Sequence, residues 1–184
     1  MRIKYNAPVV LTFSLICLAV LLLAVFFGTS FVQSGFAVPG RASFSVRDPF
    51  DWLRIFIHPF GHAGWDHLLG NLSIILLVGP MLEEKHGGKA LLLMMVITAL
   101  VTGLLNVLLF NTGLMGASGV AFMMILLSSF VNRSSGDIPL SFLLVAAIFL
   151  GKELFQIGTT TYVSQFAHLI GGTMGAVFGF VRHK

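Results

Sequence analysis

Charged residues are scarce in this 184-residue chain: Asp, Glu, Lys and Arg together make up 10% of it, against 57% hydrophobic residues and a mean hydropathy of +0.96. A soluble globule of this size needs more polar surface than that to cover itself, so the composition excludes one and indicates an integral membrane protein. Cysteine is nearly absent. The single Cys17 lies inside an apolar run, which excludes a disulfide framework and a thiolate metal site and leaves it as a small buried hydrophobe. A basic face is lacking as well: the formal charge of +4 comes from eleven Lys and Arg scattered singly between apolar runs, so nucleic acid is not an expected partner. Internal repeats and low-complexity tracts are missing, and residues 1–184 read as one domain.

What the sequence has is six apolar runs, at about residues 7–31, 67–82, 90–110, 118–131, 138–157 and 165–181. The first follows Arg2 and Lys4 and is long for the apolar core of a cleaved signal; with five more runs behind it, a retained helix is expected. Polar breaks separate the later runs at 83–89, 111–113, 132–137 and 158–161. Residues 33–66 differ in kind. Arg41, Arg47, Asp48, Asp51, Arg54, His58, His62 and Asp66 alternate there with Phe36, Phe44, Phe50, Trp52, Phe56, Phe60 and Trp65, a mixture suited to the headgroup level of a bilayer. This stretch is expected to be an interfacial loop, with residues 52–58 as a short amphipathic helix lying flat. The fold class is thus an all-α bundle of six membrane helices.

Six spans put Arg2, Lys4, Lys85, Lys89, Arg133, Arg182 and Lys184 on one side and Arg41, Arg47 and Arg54 on the other. Seven cations against three place both termini in the cytoplasm and turn the loop outward. Polar side chains inside helices two, four and six then become informative, because such groups are costly in a span and face the bundle interior for a reason. They are His67, Asn71, Ser118 and His168. Ser118 precedes Arg133 by fifteen residues, His168 precedes Arg182 by fourteen, and Asn71 and His67 precede Glu83 by twelve and sixteen. At the rise of an α-helix all four lie about 18 to 24 Å above the inner surface, roughly 6 to 12 Å beneath the outer edge of the hydrocarbon core.

Ser118 is bracketed by small residues in Gly116-Ala-Ser118-Gly119, where another backbone can approach it; the same pattern also serves plain helix packing. Its equal depth with two histidines and an asparagine favours chemistry. His67 and Asn71, four apart, share a helix face. Around His168, Gly171, Gly172, Gly175 and Gly179 leave room for a neighbouring helix, and the one that begins at Ser118 is the natural choice. A serine hydroxyl needs a base to accept its proton, and a neutral imidazole is the usual one. The oxyanion formed on attack needs donors, which the Ser118 backbone N–H, Asn71 and His67 can supply. Glu153 is the one carboxylate at a comparable level, so a Ser-His dyad is the simpler reading.

With His67-Leu-Leu-Gly-Asn71, Gly116-Ala-Ser118-Gly119 and Ala167-His168-Leu-Ile-Gly171-Gly-Thr-Met-Gly175 in this order and spacing, the chain resembles the rhomboid intramembrane serine proteases from Trp52 to Gly179. The resemblance implies Ser118 as nucleophile, His168 as general base, and His67, Asn71 and Gly116 at the oxyanion and substrate site, with no metal and no cofactor. It implies membrane-protein substrates cut near the outer leaflet of the lipid bilayer, in a multi-pass protein of a bacterial-type inner membrane. Structural roles are expected for Trp52, Arg54, Glu83, Gly119, Phe122, Gly171 and Gly175. Leu53 separates Trp52 from Arg54 where the family often has adjacent Trp-Arg, which leaves the role of Arg54 open. Phe122 replaces a frequent tyrosine and can stack on the base without hydrogen-bonding. Glu83 matches a glutamate expected to fasten a loop. The segment 158–164 is the expected cap over the site, Asn106 is expected to bond across helices, Lys152 to snorkel, and Gln156 to meet the outer loop.

Two rivals remain. A noncatalytic rhomboid-like binder of membrane helices would not need Ser118, His168, His67 and Asn71 together. A zinc protein could use His58 and His62 at i,i+4, but Pro59 and Gly61 oppose a regular helix there and no third ligand presents itself. Otherwise His58 and His62 are ordinary interfacial histidines.

Overall fold

A computed structural model describes residues 2–132, 137–155 and 162–181. Among them the chain is helical, with one isolated antiparallel bridge, Val38 to Leu114, and no strand. The helices are α1 (Pro8–Phe27), α2 (Thr29–Phe36), α3 (Pro49–Ile57), α4 (Trp65–His86), α5 (Gly88–Leu109), α6 (Ser118–Ser128), α7 (Leu140–Phe155) and α8 (Tyr162–Val181), with a 3-10 turn at His58–Phe60. Three of them, α1, α4 and α5, are long and apolar enough to cross a bilayer. Helix α6 and the stretch Gln165–Val181 of α8 are apolar but shorter.

The first apolar run is two helices instead of one. It breaks at Gly28, whose φ of 87° is a left-handed conformation that glycine adopts without strain. Between α2 and α4, Asp48 caps α3 by accepting from the Phe50 N–H at 2.9 Å, and Pro49 occupies the first turn. Helix α3 therefore starts three residues before the expected 52–58 segment. It ends where Pro59 imposes the tighter 3-10 turn.

Each structural residue named from the sequence has a definite position. Arg54 donates to Asp51 Oδ1 at 2.6 Å and to the Ser34 carbonyl, and its guanidinium lies 4.5 Å from the Phe50 ring centre. It thereby ties α3 to the end of α2, a role the intervening Leu53 had left open. Trp52 donates its indole N–H to Val46 O at 3.1 Å and meets Phe44 edge-on. Glu83 is buried and fastens a helix terminus, not a loop: its two carboxylate oxygens accept the Val9 and Val10 N–H groups, each at 3.0 Å, at the start of α1. Those are groups that a helix cannot satisfy by itself, and the negative charge suits that end of the helix dipole.

Helices α6 and α8 pack backbone to backbone. A Cβ on Gly171 would stand 2.1 Å from Gly119 O, and one on Gly175 would stand 2.2 Å from Met123 O. Only glycine allows that approach. Lys152, Glu153, Gln156, most of segment 158–164, and Arg133, Arg182 and Lys184 lie outside the residues whose side chains are described.

Candidate active site

Ser118 is the first residue of α6, and the first intrahelical bond there is Ala121 N–H to Ala117 O at 2.9 Å. The Ser118 N–H accordingly belongs to the orphan donors of a helix N-terminus. The approach to Ser118 is fixed from three sides. Val38 and Leu114 exchange backbone bonds of 2.9 and 3.0 Å, Gly116 N–H donates to His58 O at 3.0 Å, and Asn106 Nδ2 donates to Thr112 O at 3.2 Å. Asn106 thus holds the loop after α5 instead of bonding across helices.

His67 stands on the first turn of α4. Its Nδ1 accepts the Ala63 N–H at 3.4 Å, which leaves the proton of a neutral ring on Nε2. That nitrogen faces Gly116: a Cβ there would lie 2.6 Å from Nε2 and 2.5 Å from Cε1. Gly116 has φ of 121°, so both conformation and space require glycine. His67 and Ser118 line one cavity of about 720 Å³, together with residues 109–115 and Val163.

His168 reaches the same helix from α8. Its ring lies 4.2 Å, centre to centre, from Phe122 and inclined by 36°, and Phe122 is one turn below Ser118 on α6. A Cβ on Gly119 would meet Ala167 O at 3.5 Å, so the backbone preceding His168 runs against the residue following Ser118. Phe122 stacks as its chemistry permits.

Asn71 is buried, one turn after His67, and its Nδ2 is 3.1 Å from His62 Nε2. His62 is 1% exposed, which overturns its reading as an ordinary interfacial side chain. Its Nδ1 is 3.3 Å from Phe60 O, and its ring meets that of His67 edge-on with centres 5.0 Å apart. Burial, with the His67 charge adding to it, lowers its pKa to about 4 against the pull of Phe60 O. His58 is buried too: Nε2 stands 3.3 Å from both Ala99 O and Thr102 Oγ1, and burial lowers its pKa to about 3.

These two histidines turn inward onto α4 and α5, and among the described residues no three His, Cys, Asp or Glu side chains gather as a metal would need. The sequence did carry a signal for this polar interior: Thr98, Thr102 and Asn106 recur every four residues along an otherwise apolar helix, all buried.

The model of the rhomboid domain matches residues 49–184. The chain is 27% identical to "Rhomboid protease GlpG" of Haemophilus influenzae, over 77% of this chain and 75% of that protein. It is 30% identical to "RHOMBOID-like protein 1" of Arabidopsis thaliana over 70% of this chain, and 30% identical to "Rhomboid-related protein 1" of Caenorhabditis elegans over 82%. It spans only 34% and 46% of the length of those two relatives.

Proposed function

The chain belongs to the rhomboid family and is an integral membrane protein, and from that membership we propose that it is a serine endopeptidase that cleaves transmembrane segments of other membrane proteins. The observation that carries this reading is the convergence on α6. Ser118 opens the helix beside a cavity shared with His67, and His168 stacks on Phe122 one turn along.

In the proposed reaction Ser118 Oγ attacks the scissile carbonyl and passes its proton to His168, forming an ester bond through a tetrahedral intermediate. The negative oxygen of that intermediate is met by the Ser118 N–H, His67 Nε2–H and Asn71. Collapse breaks the C–N bond, and the leaving amine takes the proton from the imidazolium. Water, deprotonated by His168, then releases the acyl product and regenerates the hydroxyl. A dyad suffices. Attack requires an extended, exposed carbonyl, so substrates are expected to be cut where Gly or Pro weakens a transmembrane helix. The six-helix arrangement, the interfacial loop, a single domain over 1–184 and cytoplasmic termini in a bacterial-type inner membrane are part of the same proposal.

Labelling of the purified protein with a fluorophosphonate tests it. Label on the wild type, lost in Ser118→Ala and in His168→Ala together with cleavage of a model transmembrane substrate, is the expected result. A wild type that neither labels nor cleaves refutes the protease.

A further inference from the structure

We infer that His62 is a positioning residue that holds Asn71 and His67, through its hydrogen bond to one and its ring contact with the other, in the arrangement that receives the oxyanion. The inference rests on the protease reading.

The direction of each bond follows from elementary chemistry. Phe60 O can only accept, so His62 Nδ1 carries a proton and donates across 3.3 Å. The low pKa of His62 keeps the ring neutral near pH 7, so Nε2 keeps its lone pair. The partner at 3.1 Å must then be an N–H of Asn71, which fixes the rotation of that amide and leaves its second N–H for another acceptor. On its other side the His62 ring packs edge-on against His67, whose Nδ1 is already engaged by Ala63. One side chain, 1% exposed, therefore touches both proposed side-chain donors. It is anchored to the 3-10 turn through Phe60 O and touches α4 through its partners. Donors for a developing charge act only when they are already oriented, so a group that fixes their rotation contributes to turnover without touching substrate.

The test is steady-state cleavage of a model transmembrane substrate by the full chain in detergent. For His62→Ala, kcat is expected to fall by about tenfold to a hundredfold with KM nearly unchanged. His62→Gln, which can present a carbonyl oxygen near the position of Nε2, should recover most of the loss. Because His62 acts through Asn71 as well as His67, the losses of His62→Ala and Asn71→Ala should overlap in the double variant, and losses that multiply in full would overturn the inference. So would an unchanged kcat in His62→Ala, a rise in KM alone, or a His62→Gln no better than His62→Ala. If His62→Ala fails to fold, His62→Phe keeps a ring against His67 without the acceptor, and normal kcat in that variant overturns the role equally. A wild type inactive towards both substrate and fluorophosphonate overturns the protease reading and this inference with it; a fully active His62→Ala overturns this inference alone.

Discussion

At the scale of single residues, the proposed nucleophile, base and oxyanion donors should separate kinetically. Asn71→Ala removes a donor that matters as charge develops, so turnover should fall on the order of 10²-fold or more with KM nearly constant. A matching rise in KM would assign Asn71 to ground-state binding instead. Chelator should leave cleavage intact, and strong inhibition reversed by zinc would contradict a metal-free dyad. Ser118, His168, His67 and Asn71 could be picked out as candidates because a polar side chain in an apolar run stands out, and the structure brings Ser118 and His67 to one cavity and His168 onto Phe122 of α6. His62 was misread because it lies in a stretch where charged and aromatic residues alternate freely. Sequence there cannot tell an exposed imidazole from one folded back over the next helix; only its bonds to Phe60 and Asn71 make the distinction.

At the scale of elements, the contact between α6 and α8 should be intolerant of even one methyl group. Gly171→Ala places a carbon onto Gly119 O and should cost about 1–3 kcal/mol or more in folding stability, with loss of activity because His168 moves with its helix. Gly70→Ala, on α4 with nothing within 4 Å, should be neutral or slightly stabilising, and unfolding in detergent compares the two. The 3-10 turn should sense acid. His58 and His62 have lowered pKa values, about 3 and 4, so below the ordinary value near 6.5 the unfolded chain binds protons that the folded one refuses. Stability should be flat above about pH 6.5 and decline as pH falls towards 4, and a melting temperature constant over that range would contradict the burial of both rings. Helix existence was legible from apolar runs, whereas ends were set by local events: Gly28 splits the first run, and α6 stops at Ser128 short of the expected 131.

At the scale of the molecule, the clasp between Glu83 and the start of α1 joins the foot of α4 to a helix that precedes the matched domain. Glu83→Ala leaves two inward N–H groups without their acceptor and should lower stability by about 1–3 kcal/mol, read as a lower melting temperature, with Ser118 still labelled in the folded fraction. Unchanged melting would show the clasp to be incidental. Its two ends are 74 and 73 residues apart. During biosynthesis at about 5–20 residues per second, the amino end of α1 must wait roughly 4 to 15 s before the ribosome delivers its acceptor. Helix α1 is thus made well before it can be locked, and its docking reports that the foot of α4 has been made.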